Sequence, residues 1–265
     1  MKWIMGMGIL NILIVALLFP LRSRMTAEAV VVAGSTSVQP YAEILAEEYA
    51  VLFDGARVDV QGGGSSAGIT AVESGAADIG MSSRALKKEE SHLWSAEIAK
   101  DGLAVIVHPE NPVNGLTLAQ VRAVYDGTAL NWLDIGGLDA EIHVITREDG
   151  SGTRGAFEEL AMEGRFIKPS AIVQDSNGAV RQIVSGDRNA IGFISLGITD
   201  DTVKAVNLNG IAATPENVLN GTYSLYRPFL FVAKEEPDGE AGAFIDFIFS
   251  RDGRALLENE GLVTD

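Results

Sequence analysis

Hydrophobic and polar positions along the chain fall into a recurring order: a short apolar run, a glycine- and hydroxyl-rich loop, then apolar residues at helical spacing. Val30-Val31-Val32 reads as a buried strand and leads into Gly34-Ser35-Thr36-Ser37, after which Tyr41, Ile44, Leu45, Tyr49 and Leu52 predict a helix starting near Val38. Arg57 to Gln61 alternates as a strand, runs into Gly62-Gly63-Gly64-Ser65-Ser66, and is followed by Ile69 and Val72 on a short helix. Asp78-Ile79-Gly80-Met81 ends at Ser82-Ser83-Arg84, and Ile142 to Thr146 ends at Arg147-Glu148-Asp149-Gly150-Ser151-Gly152-Thr153-Arg154, before Phe157 and Leu160. Leu116 to Tyr125 predicts an amphipathic helix, Asn177-Gly178-Ala179-Val180 a further helix start, Ile191 to Ile194 a buried strand, and Ala241 to Leu257 closing helices. Strands alternating with helices define an α/β chain with mostly parallel sheet, and such sheets receive ligands beyond the carboxyl ends of their strands.

The first 29 residues stand apart. Lys2 precedes an almost uncharged apolar stretch, Trp3 to Phe19, long enough for a helix of roughly 25 Å. Ala27-Glu28-Ala29 supplies a small-x-small pattern, while Arg22 and Arg24 lie between it and the apolar run. Residues 1–29 are therefore expected to be an export signal or an uncleaved N-terminal anchor, outside the fold. The chain has no cysteine, so disulfides, thiolate metal sites and lipid-modified cysteine are excluded.

The 265 residues, 47% of them hydrophobic, suffice for one large or two medium α/β domains. A formal charge of −16 argues against nucleic-acid binding through a basic surface. It leaves an anionic ligand open, because surface charge is screened over about 8 Å at physiological ionic strength and a buried ion responds to donors beside it.

Those donors are supplied by the loops. Helices starting near Val38, Ser66 and Thr153 leave backbone N–H groups unpaired, at a partially positive end suited to an oxyanion. Ser and Thr are also ordinary N-caps, so the argument rests on four apolar runs ending in such loops and not on any one. Arg147 adds a planar cation able to hold two oxygens of a tetrahedral anion. Its position ahead of Asp-Gly-Ser-Gly-Thr permits close backbone approach.

Enzyme chemistry finds little support. His92, His108 and His143 have no ligand spacing, the Gly-x-Ser-x-Gly elbow of lipases lacks its Asp and His, and neither Gly-Lys-Ser/Thr nor a Gly-x-Gly-x-x-Gly in strand-to-helix context occurs. No catalytic residue, cofactor or metal ligand is assigned. A hydrolase of phosphate esters is the rival class, and it would need a nucleophile or metal cluster that the sequence does not show. Trp132 is read as packing.

Taken in order, Gly34-Ser-Thr-Ser, Gly62-Gly-Gly-Ser-Ser-Ala-Gly, Asp78-Ile-Gly-Met-Ser-Ser-Arg and Arg147-Glu-Asp-Gly-Ser-Gly-Thr resemble the phosphate-binding component of the Pst-type ABC phosphate importer over residues 30–265. The resemblance implies a type II periplasmic-binding fold: two α/β lobes joined by crossover strands, with the ion in the cleft between them. The crossovers are expected near Val105–Pro109 and Tyr226–Val232, giving lobe one as 30–106 plus 226–265 and lobe two as 107–225.

It implies inorganic phosphate as ligand, importer permease subunits as partners, and an exported, monomeric, non-enzymatic receptor touching the membrane only through its N-terminal segment. Carried over by residue, Thr36, Ser37 and Ser65 would donate from lobe one and Arg147, Ser151, Gly152 and Thr153 from lobe two, with Asp149 orienting Arg147. Ser83 stands where relatives carry a carboxylate that accepts the proton of phosphate. A serine there relaxes the repulsion of fully ionised anions, so sulfate, molybdate and tungstate stay open as alternative ligands. Arg84 either adds charge to the site or pairs with a surface carboxylate.

Overall fold

The structure is a computed structural model and describes residues 29–264. The expected export or anchor segment, Ala29 apart, lies outside them. In chain order the elements are β1 (Val30–Gly34), α1 (Gln39–Leu52), β2 (Val58–Gly62), α2 (Ser65–Ser74), β3 (Ile79–Ser82), β4 (Trp94–Val107), β5 (Gly115–Leu116), α3 (Leu118–Asp126), β6 (His143–Arg147) and α4 (Gly152–Ala161). They continue with β7 (Ile172–Gln174), α5 (Asn177–Gly186), β8 (Ala190–Ser195), β9 (Lys204–Ala205), β10 (Asn207–Leu208), α6 (Pro215–Leu219), β11 (Tyr226–Ala233), α7 (Gly239–Phe249) and α8 (Arg251–Asn259).

The main sheet runs β2-β1-β3-β11-β4-β8-β6-β7. β1 pairs with β2 and β3 in parallel, and β6 pairs with β7 and β8 in parallel. Between these two parallel halves lie antiparallel pairings of β11 with β3 and β4, and of β4 with β8. β4 joins the halves, because residues 94–102 pair with β11 and residues 103–107 pair with β8. The hydrophobic core divides at the same place. One cluster gathers β1, β3, α1, α7 and α8 around Phe229 and Phe231, and the other runs from Leu103 to Leu225 across α3, α4, α5 and β8.

Local sequence explains how the site elements are held. β1 buries alternate residues, as a strand must when its two faces meet different surroundings. Gly34 ends it at φ +140°, where a Cβ would lie 2.4 Å from the Met81 carbonyl oxygen, so only glycine lets β1 and β3 meet there. The same small-residue contact recurs on α2, where a Cβ on Gly68 would sit 2.5 Å from the Ala33 carbonyl oxygen. This draws the start of α2 down onto the ends of β1 and β3.

In the other half, Phe157 of α4 stacks on Phe193 of β8 with ring centroids 4.0 Å apart and planes within 3°. Truncating such a buried ring costs about 3–5 kcal/mol, so α4 and its first turn are anchored to the sheet. The expected closing helical region consists of two helices, α7 and α8, separated at Ser250, whose hydroxyl caps α8 by accepting from Gly253 N–H. Among the described residues no helix is long and apolar enough to cross a membrane.

Candidate anion-binding site

Four helix N-termini meet where the halves of the sheet join. α1 and α2 start without a side-chain cap, so their first N–H groups have no side chain to answer them. α4 and α5 are capped by Ser151 and Ser176, which accept from the N–H groups of Arg154 and Ala179 at 3.2 and 3.1 Å. Each terminus brings a partial positive charge toward the same small region.

Hydroxyls fill that region. Ser37 Oγ, ahead of α1, lies 2.8 Å from Thr153 Oγ1 in the first turn of α4. Ser65 Oγ, at the start of α2, accepts from Ser83 N–H at 3.0 Å, and Ser35 Oγ donates to Ser83 Oγ at 2.8 Å. Ser35, Ser37, Ser65, Ser83, Ser151 and Thr153 are all buried. Gly152 is pressed against them: a Cβ there would fall 2.1 Å from Ser65 Oγ and 2.7 Å from Ser83 Oγ. Among the described residues, none of the hydrogen bonds of Ser35, Ser37, Ser65, Ser83 or Thr153 goes to a carboxylate.

Arg147 ends β6 and is buried. Its Nε and Nη2 each donate to Glu148 at 2.9 Å, and Nη2 also reaches the Asp175 carbonyl at 3.1 Å and Thr36 Oγ1 at 3.3 Å. Nη1 has no hydrogen-bond partner. An unanswered guanidinium N–H in a dry region is costly unless an acceptor completes it. A tetrahedral oxyanion beside the hydroxyls is such an acceptor.

One sequence expectation changes here, and Arg84 takes one of the two places left open to it. Asp149 does not orient Arg147. It is exposed and pairs with Arg154 at 2.5 Å, while Glu148 takes the place beside Arg147. The turn into α4 carries Asp149 over the helix's first turn, where Arg154 lies closer than Arg147. Arg84 is turned to Glu90, with Nη1 and Nη2 at 2.7 and 2.8 Å from the two carboxylate oxygens. Its stem runs past Gly155, whose added Cβ would lie 3.4 Å from Arg84 Cδ.

Several groups at the site escaped sequence reasoning. Asn177, read from the sequence as a helix start, donates to Ser37 Oγ at 2.8 Å. Asp101 on β4 and Arg227 on β11 form a fully buried ion pair at 3.0 Å, and Arg227 Nη2 also donates to Ser37 Oγ at 3.1 Å. Burial pushes the Asp101 carboxyl up and the Arg227 guanidinium down from their ordinary values, and their mutual contact opposes both shifts. The basicity of a guanidinium keeps the pair ionised. The available signal was a charge at the margin of each apolar strand run, since Asp and Arg are seldom fully buried without a partner.

Two α/β lobes with buried hydroxyls and helix N-termini gathered between them are the arrangement of a solute receptor of the periplasmic-binding type. Residues 23–252 match the PBP superfamily domain. The chain is 30% identical over 239 residues to the phosphate-binding protein PstS of Bacillus subtilis, covering 88% of this chain and 79% of that protein. In structure it is similar to a candidate phosphate ABC transporter substrate-binding protein with bound phosphate from Clostridium perfringens, with TM-score 0.86, 44% identity, and coverage of 89% and 99% of the two chains. An ABC-type phosphate transport receptor from Vibrio cholerae matches with TM-score 0.75 and 38% identity, over 89% of this chain and all of that one, 100%. The chain belongs to the PstS family of phosphate-binding proteins within the PBP superfamily.

Proposed function

We propose that this protein is an extracytoplasmic receptor that binds inorganic phosphate and delivers it to the permease of an ABC importer, without chemical turnover. The observation that carries the reading is the buried set of hydroxyls and helix N-termini around Arg147, whose Nη1 lacks a partner. The names of the similar proteins support phosphate as the anion. Thr36, Ser37, Ser65, Ser83, Ser151, Gly152 and Thr153 are the proposed contacts beside Arg147, with Arg84 and Asp149 holding neighbouring groups.

Anion capture works by differential contact. The proposed hinge is where β4 changes partner from β11 to β8, at Gly102–Leu103. In the open form, donors of the two lobes are apart and hydrated. An oxyanion satisfies both sets at once and stabilises the closed form, which the permease then reads. Glu148 neutralises much of Arg147, so helix N-termini and hydroxyls carry much of the anion's stabilisation.

The test is calorimetry of protein refolded to remove carried-over ligand. Phosphate is expected to bind at micromolar or tighter affinity, and absence of any binding heat would defeat the reading. A phosphatase assay on the same sample separates a receptor from a hydrolase.

A second reading, another tetrahedral oxyanion, is favoured by one observation. Ser83 presents a hydroxyl where a carboxylate would repel an unprotonated anion. Parallel titrations with sulfate, molybdate and tungstate decide between them.

A further inference from the structure

We infer that Arg227, held by Asp101, is a positioning residue that commits the Ser37 hydroxyl to donate into the anion site. The inference rests on the phosphate-receptor reading above and assigns a role to a buried ion pair that direct anion contact does not require.

Ser37 Oγ has two lone pairs and one proton. One lone pair receives Arg227 Nη2 at 3.1 Å, and the other receives Asn177 Nδ2 at 2.8 Å. A guanidinium can only donate. The Asn177 amide is fixed the same way round, because its Oδ1 accepts from Ser195 N–H at 3.3 Å. With both lone pairs filled, the Ser37 proton has to leave in the remaining direction, toward Thr153 Oγ1 at 2.8 Å and the N-terminus of α4. An ordinary serine beside an anion loses rotational freedom on binding, and its proton competes with solvent. Ser37 arrives already turned, which lowers the ordering cost of capture.

Arg227 is itself held through Nε and Nη2, while its Nη1, like that of Arg147, has no hydrogen-bond partner among the described residues. Nε and Nη2 lie 3.2 and 3.0 Å from Asp101 Oδ2, Asp101 Oδ1 accepts from Ser195 Oγ at 2.8 Å, and the guanidinium sits over the Phe229 ring at 5.4 Å. Asp101 lies on β4 beside the change of strand partner, Arg227 on β11 and Ser195 at the end of β8. The network therefore occupies the junction of the two lobes, and Asn177 can complete Ser37 only when α5 has come up to α1. A buried ion pair is weak evidence for stability, since apolar residues of similar volume commonly serve the fold as well. Its geometry here points into the site.

The test is a double-mutant cycle for phosphate affinity with Arg227→Lys and Ser37→Ala, using calorimetry on the full chain. The lysine keeps a cation beside Asp101 but is a single-headed donor unable to hold the carboxylate by two nitrogens and Ser37 together. Arg227→Lys is expected to weaken phosphate about tenfold in the parent protein and to have no further effect once Ser37 is alanine. A merely structural role would weaken binding equally in both backgrounds, and that result would overturn the inference, as would parent-like affinity of Arg227→Lys. If the lysine variant does not fold, Asp101→Leu with Arg227→Met removes both charges together and enters the same cycle with the same expectations. Phosphate binding by the unmodified protein is the internal control: its absence overturns the receptor reading and this inference with it, whereas binding with an additive cycle overturns this inference alone.

Discussion

Ser37 and Thr153 are 116 positions apart in sequence and their hydroxyl oxygens lie 2.8 Å from each other. Ser37 precedes α1, in the half built on β1, while Thr153 opens α4, in the half built on β6. Their contact thus measures closure of one lobe on the other. Thr153→Val keeps the shape and removes the hydroxyl, so one donor is lost from the site while the packing beneath α4 persists. Phosphate affinity is expected to fall about tenfold, with a stability change near about 1 kcal/mol. A loss of affinity that scales with a large fall in melting temperature would instead mark Thr153 as structural.

Gly152 is the steric counterpart of that contact. Its added Cβ would overlap Ser65 Oγ at 2.1 Å and Ser83 Oγ at 2.7 Å, two hydroxyls fixed by backbone and side-chain hydrogen bonds. Gly152→Ala should hold the lobes apart, weakening phosphate by about a hundredfold or more while each lobe stays folded. Gly178 at the start of α5 has nothing within 4 Å of its added Cβ, so Gly178→Ala is the matched control and should bind as the parent does. Equal affinities for the two variants in calorimetry would exclude a steric role for Gly152.

Much of the candidate site is legible in the sequence, and the rest is hidden for physical reasons. The loops after β1, β2, β3 and β6 announced themselves because glycine and hydroxyl residues interrupt apolar runs at strand ends, where α/β sheets bind ligands. Arg147 was conspicuous within one such loop. Arg227 and Asp101 were not, because each lies on a strand whose apolar neighbours suggest scaffold, and only the pairing of β4 with β11 brings them together across 126 positions. The resemblance assigns Asp149 a position beside Arg147, whereas the direction of a side chain depends on where the strand ends. Strand periodicity stops at Arg147, so it does not tell which of the next two carboxylates turns back.

Glu90 gives a pH-dependent test of the framework behind Ser83. Burial raises its carboxyl, but the fork of Arg84 and the Lys87 N–H at 2.7 Å outweigh that effect and hold it below its ordinary value of 4.5. Because the folded value lies below the unfolded one, the pair's contribution is complete above that ordinary value. It is lost as pH falls through 4.5 and on to the folded value. Glu90→Gln should therefore melt lower than the parent near neutrality, and the gap should close as the buffer is taken from about pH 6 to about pH 3. A gap that stays constant with pH would mean that the carboxylate's ionisation contributes nothing.

Ser83 sets the expectation for anion discrimination. Its Oγ accepts from Ser35 and shares a 3.4 Å hydrogen bond with Ser65 Oγ in which either hydroxyl can donate, so it keeps either its proton or its second lone pair for the anion and can face either a protonated or an unprotonated oxygen. A carboxylate in that place would need a proton from the anion and would repel sulfate, which has none to offer; a hydroxyl makes no such demand. Excess sulfate is therefore expected to lower the apparent phosphate affinity. Chloride at matched ionic strength should leave it unchanged, because a buried site is little affected by screening. Ser83→Asp should reverse the behaviour, retaining phosphate and rejecting sulfate by at least about tenfold relative to the parent. If phosphate affinity in the unmodified protein is indifferent to sulfate, discrimination resides elsewhere, and the backbone N–H groups at the starts of α2 and α4 become the next groups to vary.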